Sequence, residues 1–460
     1  MEKTQKERLF EDVPIPKAVA TLAVPTVLSS LVMVLYNLAD TYFVGMLNNP
    51  VENAGVALAA PVLLAFNAIN NLFGVGSSSL MSRSLGRKDY GTVRRSAAFG
   101  FYGALFFGFV FSLGCTVFQG PLLSLLGADS STTSATVGYL FWTVTLGAVP
   151  AILNVVMAYM VRSEGASMHA SIGTMSGCIL NMILDPIFVL PWGLNMGAEG
   201  AGCATFISNC VACLYFFVLL AAKRKSTYIS LSPRHFTLQK NIVVSVFAVG
   251  IPASIQNLLN VTGMTILNNF TAAYGATAIA AMGISQKVYT VPTQVAMGLS
   301  QGIMPLVSYN YASGNVRRMK KTITFSMKIA LTFLCILAVL FFLLPGLIIH
   351  LFIADEQVIE YGSHFLRGFS LAMPFLVVDF MAVGVFQAVG LGKAALAFAL
   401  LRKIALEIPA LFILNTLIPL YGLAYAQFCA ELILASVAVI VLRWLFRKLD
   451  AGGNPNPASY

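Results

Sequence analysis

Apolar stretches long enough to cross a lipid bilayer follow one another along almost the whole chain, and this feature restricts the fold more than any other. A membrane-spanning helix needs about 20 consecutive, mostly apolar residues. The chain is therefore predicted to be an all-α integral membrane protein with twelve transmembrane helices. The predicted spans are 19–45, 54–80, 96–118, 136–160, 168–190, 199–221, 242–268, 276–303, 320–345, 361–388, 396–419 and 422–446.

The composition excludes the main soluble classes. Of the 460 residues, 58% are hydrophobic and 10% are charged, whereas soluble proteins contain about 25% charged residues. So few charges cannot cover a soluble chain of this length, which excludes a cytosolic enzyme, a disordered protein and a secreted disulfide scaffold. The seven cysteines lie in apolar runs, as small buried residues do, and we expect no metal centre, redox site or cofactor.

The basic residues indicate the orientation in the membrane. With twelve spans, all of the 28 basic residues except Lys287 and Arg367 lie in the tails and the even-numbered loops, and Arg402 and Lys403 are counted with the tenth loop. Because cytoplasmic loops are enriched in Lys and Arg, both termini are predicted to be cytoplasmic in a multi-pass protein of the cell (plasma or inner) membrane. Topology and contacts with lipid head groups explain the net charge of +10, so we expect no nucleic-acid partner.

An internal repeat divides the spans into two pseudo-symmetric six-helix bundles. Pro25 in span 1 and Pro252 in span 7 are 227 residues apart, and a basic pair follows both span 2 and span 8. Such repeats are typical of secondary transporters, whose substrate site lies between the halves near the middle of the membrane. The predicted domains are an N-terminal cytoplasmic tail (1–17), an N-terminal bundle (18–221), a cytoplasmic linker (222–241), a C-terminal bundle (242–448) and a disordered C-terminal tail (449–460).

Polar residues inside the N-terminal bundle predict an ion-binding site. Ionisable groups within a membrane are costly and are functional candidates, with structural hydrogen bonding or exposure at the outer boundary as the alternative. Two carboxylates, an amide and hydroxyls at similar depth suit either Na⁺ or a proton, since burial favours a protonated carboxyl. The candidates are Tyr36 and Asp40 in span 1, Asn181 and Asp185 in span 5, Thr205 in span 6 and, more weakly, Asn154 in span 4.

The C-terminal bundle has a different polar set, which predicts a substrate cavity. Lys287 and Asp379 are expected to form an ion pair, and Lys403 and Glu407 are spaced to pair along one helix. Glu431 is a candidate contact for a cationic drug. The cavity candidates are Gln256, Asn257, Asn260, Lys287, Asp379 and Glu431.

Four motifs in order along the chain resemble the multidrug and toxic compound extrusion (MATE) family, in its prokaryotic DinF/MepA-like branch. They are the proline of span 1, the Asn-Leu-Ala-Asp-Thr run that ends that span, the Leu-Gly-x-x-Asp loop after span 2, and Asn181-x-x-x-Asp185. The resemblance implies an antiporter that exports organic cations or other amphipathic drugs in exchange for H⁺ or Na⁺. It also implies that Tyr36, Asp40, Asn181, Asp185 and Thr205 form the cation site of the N-terminal half.

The predicted function is therefore multidrug efflux by alternating access, with span 1 bending at Pro25 because proline removes a backbone hydrogen bond. The partners are small-molecule drugs and membrane lipids, and we expect a monomer. A lipid-linked saccharide flippase of related architecture is the alternative, although the embedded charge is mainly acidic. A membrane enzyme is disfavoured because His169, His235, His350 and His364 are scattered.

Overall fold

The computed structural model describes residues 4–47 and 49–451, and every regular element in these residues is helical. Three of the elements are π-helical turns, at Asn71–Val75, Phe141–Leu146 and Leu401–Glu407, and one is a 3₁₀ turn, Pro233–His235. The α-helices are α1 (Gln5–Glu11), α2 (Ile15–Gly45), α3 (Pro50–Asn70), α4 (Gly76–Gly86), α5 (Tyr90–Val117), α6 (Gln119–Leu126), α7 (Thr133–Leu140), α8 (Ala148–Ser163), α9 (Ser167–Val189), α10 (Gly197–Ala222), α11 (Lys240–Ala272), α12 (Ala276–Ala312), α13 (Val316–Leu343), α14 (Pro345–His350), α15 (Glu356–Ala388), α16 (Gly392–Leu400), α17 (Ile408–Leu417) and α18 (Gly422–Asp450).

The long helices follow the twelve predicted spans in order. Among the described residues, nine helices are long and apolar enough to cross a membrane, and the pair Thr133–Leu146 and Ala148–Ser163, bent by 50°, forms a tenth. Helix α12 and the segment from α16 to α17 occupy the positions of predicted spans 8 and 11. Large apolar side chains such as Phe106, Phe109 and Leu214 are exposed, as expected where lipid rather than water surrounds the helices.

The predicted N-terminal tail contains a short helix that packs on the rest of the chain. Thr4 and Glu7 form a capping box at the start of α1. Phe10 is buried and stacks on Tyr309 with 4.7 Å between ring centroids. Arg318 donates hydrogen bonds to the carbonyls of Phe10 and Val13 at 2.6 and 2.5 Å. Of the predicted disordered tail (449–460), Leu449 and Asp450 form the end of α18, and the part from residue 452 lies outside the described residues.

The chain forms two compact units whose borders lie within helices. One unit is Leu28–Ser254, and the other combines Met1–Val27 with Ile255–Tyr460. The borders fall in α2, shortly after Pro25, and in α11, shortly after Pro252, so the borders repeat along the chain as the prolines do. The predicted bundles at 18–221 and 242–448 place their borders in loops instead, and their assignment stays a prediction.

Candidate functional site

Two helices of the Leu28–Ser254 unit hold the centre of the predicted ion site. Asn181 and Asp185 are one turn apart on α9 and point from the same face, with exposed fractions of 2% and 0%. The Asn181 amide nitrogen donates to Asp185 Oδ2 at 2.7 Å, and its oxygen accepts from the Thr205 amide at 3.0 Å and hydroxyl at 3.1 Å. Asn181 therefore links the carboxylate of α9 to helix α10.

Helix α2 brings the second carboxylate and a phenol to this group. Asp40 and Tyr36 are one turn apart on α2 and partly buried. The Tyr36 hydroxyl lies within hydrogen-bonding reach of the Thr205 side chain, and Tyr36 interacts electrostatically with both Asp40 and Asp185. Asp40 Oδ1 is buried and has no hydrogen-bond partner among the described residues. The five residues that the sequence grouped here are thus together in the structure, and one carboxylate oxygen is left without a partner.

Tyr139 is a further member of this site, which we call the carboxylate pocket (Tyr36, Asp40, Tyr139, Asn181, Asp185, Thr205). It lies near the end of α7, is buried, and interacts electrostatically with both carboxylates and with Tyr36. Tyr139 was not predicted from the sequence, because it precedes a π-helical turn and a 50° bend that the hydropathy pattern does not reveal.

Asn154 of α8 bonds to helix α10 one turn away from Thr205. Its amide donates to Asn209 Oδ1 at 2.8 Å and to the Pro150 carbonyl at 3.2 Å. Asn209 follows Thr205 by four residues on α10. Asn154 therefore bonds to the turn of α10 after the one whose Thr205 contacts Asn181. We place Asn154 beside the pocket as a residue that positions α10.

The buried carboxylates of the carboxylate pocket can be neutralised in two ways, by a proton or by a metal cation such as Na⁺. An ionised carboxylate buried in apolar surroundings is costly unless a proton or a cation accompanies it. A proton needs only one carboxyl oxygen. Na⁺ needs several oxygen ligands, as hard cations do, and the amide, hydroxyl and phenol oxygens of the pocket would have to supplement the two carboxylates. Among the described residues no group of three or more His, Cys, Asp and Glu side chains is placed to hold a metal ion.

The cysteines form no disulfide in the structure. Cys210 and Cys213 have the C-x-x-C spacing on α10, but their thiols, like those of the other five, are free.

The second unit contains a buried ion-pair cluster in which Asp379 has a different partner from the one that the sequence predicted. Arg402 Nη1 lies 3.3 Å from Asp379 Oδ2, and Arg402 Nη2 lies 2.6 Å from Glu431 Oε1. The exposed fractions of these side chains are 6%, 2% and 0%. The expected pair of Asp379 with Lys287 does not form, since Lys287 is exposed on α12 and Asp379 pairs with Arg402.

Helix geometry explains why Arg402 and Lys403 were misplaced in the tenth loop. Both lie in the π-helical turn Leu401–Glu407, inside one continuous helical segment from α16 to α17, and both are buried. The expected pair of Lys403 and Glu407 is confirmed, with Nζ–Oε distances of 2.7 and 2.6 Å. The cluster therefore holds three carboxylates and two cationic groups. The position of Arg402, ten residues past the helix start at Gly392, is the signal that could have placed it inside the span.

The remaining candidates lie on α11 and α2. Gln256, Asn257 and Asn260 are partly buried on α11, and Gln387 of α15 donates a long hydrogen bond of 3.4 Å to Gln256. Pro25 is buried within α2, which continues as a helix on both sides of it.

The apolar helices repeat in two halves, and each compact unit buries carboxylates among its own helices. This combination defines a multi-pass membrane transporter. The chain belongs to the multidrug and toxic compound extrusion family, because the family model MatE matches residues 25–187 and matches again at 252–413. The two matches begin at Pro25 and Pro252, which confirms the internal repeat. Members of this family are transporters and not enzymes.

Relatives and solved structures agree with this membership. The chain is 32% identical to the multidrug export protein MepA of Staphylococcus aureus (strain MRSA252) over 450 residues, which cover 97% of this chain and 98% of that protein. It is similar in fold to MATE solved in complex with MaL6, with a TM-score of 0.92, 23% identity and coverage of 98% of this chain and 100% of that one. An outward-facing multidrug resistance MATE family transporter of the MOP superfamily has a TM-score of 0.90 and 23% identity, with the same coverage. These likenesses confirm the predicted fold class.

Proposed function

We propose that this protein is a multidrug efflux antiporter that exports organic cations and amphipathic drugs in exchange for H⁺ or Na⁺. The observation that carries the proposal is the carboxylate pocket, in which a fully buried Asp185 and an Asp40 with an unpartnered buried oxygen share one cluster of polar groups. The near full-length similarity to the multidrug export protein MepA supports drugs as the substrate class.

The coupling step in this proposal is cation binding to the carboxylate pocket. A proton or Na⁺ entering from outside neutralises the carboxylates, and drug export follows because ion and drug each weaken the binding of the other. Inward movement of one charge supplies about 2.3 kcal/mol per 100 mV of membrane potential. The alternating access expected here requires helix bending, and Pro25 supports a bend in the helix that carries Asp40.

The candidates of the second unit differ in what they offer a drug. Gln256, Asn257, Asn260 and Lys287 are partly or fully exposed and are the proposed contacts. Asp379 and Glu431 are buried against Arg402, so their negative charge acts on a cationic drug only through that cluster or after it opens. We further propose a monomer in the cell membrane with both termini in the cytoplasm.

Efflux of ethidium from cells that express the chain tests the proposal. Asp185→Asn and Asp40→Asn are expected to reduce efflux at least tenfold, because an amide cannot take up a proton or neutralise Na⁺. Glu356→Gln, which removes an exposed carboxylate in the first turn of α15, is the matched control and should transport normally.

The same efflux assay identifies the coupling ion and distinguishes drug export from the alternative function. Efflux that a protonophore abolishes and that does not need Na⁺ would assign the pocket to a proton, and a strict Na⁺ requirement would assign it to Na⁺. Normal efflux by both aspartate variants at wild-type expression would contradict the pocket assignment. Absence of efflux for any cation by the unmodified protein would favour a lipid-linked saccharide flippase.

The role of Pro25 requires a separate variant. Pro25→Ala restores the backbone N–H that proline lacks and straightens a helix that proline would bend. We expect the variant to reach the membrane in normal amount and to transport several-fold more slowly, whereas an unchanged efflux rate would remove Pro25 as a hinge.

A further inference from the structure

A basic groove lies on the unit that combines Met1–Val27 with Ile255–Tyr460. Its cavity has a volume of about 410 Å³, which falls in the range of about 300–1,000 Å³ that small-ligand sites occupy. Most of the lining surface is apolar, although three lysines surround it. The lining residues are Ile15, Lys320, Lys321, Thr324, Phe325 and Lys328.

Helix periodicity explains why these side chains share one groove. Positions 321, 324, 325 and 328 follow the i, i+3, i+4, i+7 spacing that puts residues on one face of a helix, here of α13. Ile15 at the start of α2 forms the opposite wall. The groove is therefore an apolar slot along α13, with the ammonium groups of Lys321 and Lys328 about two helical turns apart along the helix axis.

Among the described residues, only Lys320 of the three lysines has an anionic partner. Lys320 Nζ lies 2.5 Å from Asp450 Oδ1 and donates to the Phe446 carbonyl at 2.9 Å. Lys321 and Lys328 are exposed, and neither forms an ion pair with any described residue. The groove thus presents two uncompensated positive charges.

The depth of Lys328 makes its missing counter-ion significant. Lys328 is twelve residues past the start of α13, or about 18 Å along the helix axis at 1.5 Å per residue. Helix α13 has 28 residues, about 42 Å, whereas the hydrocarbon core of a bilayer is about 30 Å thick. The Cα of Lys328 therefore lies within the apolar layer when the other end of α13 reaches the opposite surface, and its ammonium must extend back to the head groups. The ammonium of Lys328 is thereby brought to the level of the lipid phosphates.

We propose that the basic groove binds an anionic phospholipid, with Lys321 and Lys328 on its phosphate and an acyl chain against Ile15 and Phe325. The two lysines favour an anion, and the apolar side chains beside them favour a hydrocarbon chain. A ligand that satisfies both is an amphipathic anion. The phospholipids of the surrounding leaflet are the anions that a membrane supplies at this depth. The inference does not depend on the transported substrate or on the coupling ion.

Lipid-dependent thermal unfolding of the purified full-length protein in detergent tests the proposal. Added phosphatidylglycerol should raise the unfolding temperature of the unmodified protein, whereas phosphatidylcholine and inorganic phosphate should not. The double variant Lys321→Gln/Lys328→Gln should need roughly ten to thirty times more phosphatidylglycerol for the same shift, from the loss of two lysine contacts with an anionic head group. Lys225→Gln/Lys240→Gln removes two exposed lysines elsewhere and should respond as the unmodified protein does.

A second variant tests the acyl-chain position while keeping every lysine. Thr324 is exposed on the groove face, so Thr324→Trp should fold normally and fill the slot, which would remove the phosphatidylglycerol effect. Equal stabilisation by phosphatidylcholine would show a groove without charge selection, and equal stabilisation by inorganic phosphate would show an anion site without a lipid. Either result, or an unchanged response of the Lys321→Gln/Lys328→Gln variant, overturns the proposal.

Discussion

At the scale of single residues, buried charge is concentrated in two places that differ in how it is compensated. In the carboxylate pocket the partners of Asp185 are neutral, an amide and through it a hydroxyl. In the second unit the partner of Asp379 and Glu431 is a guanidinium, which also lies 5.2 Å from the Phe380 ring centroid. The first arrangement shows no cationic side chain bonded to its carboxylates among the described residues, whereas the second includes its own cations.

Removing the guanidinium should therefore be far more damaging than removing an exposed one. Arg402→Met leaves Asp379 and Glu431 buried without their cation, and breaking a buried pair in this way costs about 3–5 kcal/mol. We expect a clear fall in the unfolding temperature in detergent, and Arg402→Met/Glu431→Gln should recover part of it. Arg317→Met, at an exposed position, is the control. Equal stability of Arg402→Met and Arg317→Met would show that the cluster is not a stabilising element.

Periodicity allowed the carboxylate pocket to be predicted only in part. The spacing of Asn181 and Asp185 sets them on one face of any helix, and similar depth in neighbouring spans brought Asp40 and Thr205 into the same group. Periodicity did not place Arg402, because Arg402 lies within the π-helical turn Leu401–Glu407, where side-chain directions depart from the α-helical period. Tyr139 was not grouped with the pocket, because it lies just before a π-helical turn and a 50° bend that the hydropathy pattern does not reveal.

At the scale of helices, close contacts depend on glycine at particular positions. A Cβ added at Gly302 of α12 would lie 2.6 Å from the Ala23 Cα of α2, closer than any real contact. Small residues let membrane helices approach in this way. The first part of α2 therefore packs on α12 only while residue 302 has no side chain.

A pair of glycines on the same helix tests this contact. Gly302→Ala should destabilise the protein by about 1–3 kcal/mol, as overpacking does. Gly283→Ala has no neighbour within 4 Å and should be neutral or slightly stabilising, because alanine favours helix over glycine. The unfolding temperatures of the two variants give the comparison. Similar values would contradict the close contact between α2 and α12.

At the scale of the whole molecule, hydropathy predicted the helices and their order along the chain. The twelve apolar stretches reappear as helices in the same order, because a bilayer leaves the backbone no other way to satisfy its hydrogen bonds. Hydropathy reports where a helix is apolar but not which neighbour it packs against. The borders of the compact units, after Val27 and after Ser254, lie inside helices, where hydropathy shows no change.

The orientation of the whole molecule is open to a direct test. The distribution of Lys and Arg predicts cytoplasmic termini, so green fluorescent protein fused at the C-terminus should be fluorescent. Alkaline phosphatase fused after Ala128, between α6 and α7, should be active because that loop is predicted to be outside. Phosphatase fused after Ser230 is the control and should be inactive. The opposite pattern at Ala128 and Ser230 would reverse the topology.

The border inside α2 has a consequence for biosynthesis. The part of α2 before Leu28 shares its unit with Ile255 onward, so the first long helix to leave the ribosome begins with a segment whose partners are encoded roughly 230 residues later. At synthesis rates of about 5–20 residues per second, the delay is roughly 10–45 s. During this interval the nascent chain exposes an unpaired half-helix to the insertion machinery, and truncated products that end before residue 255 never bury it.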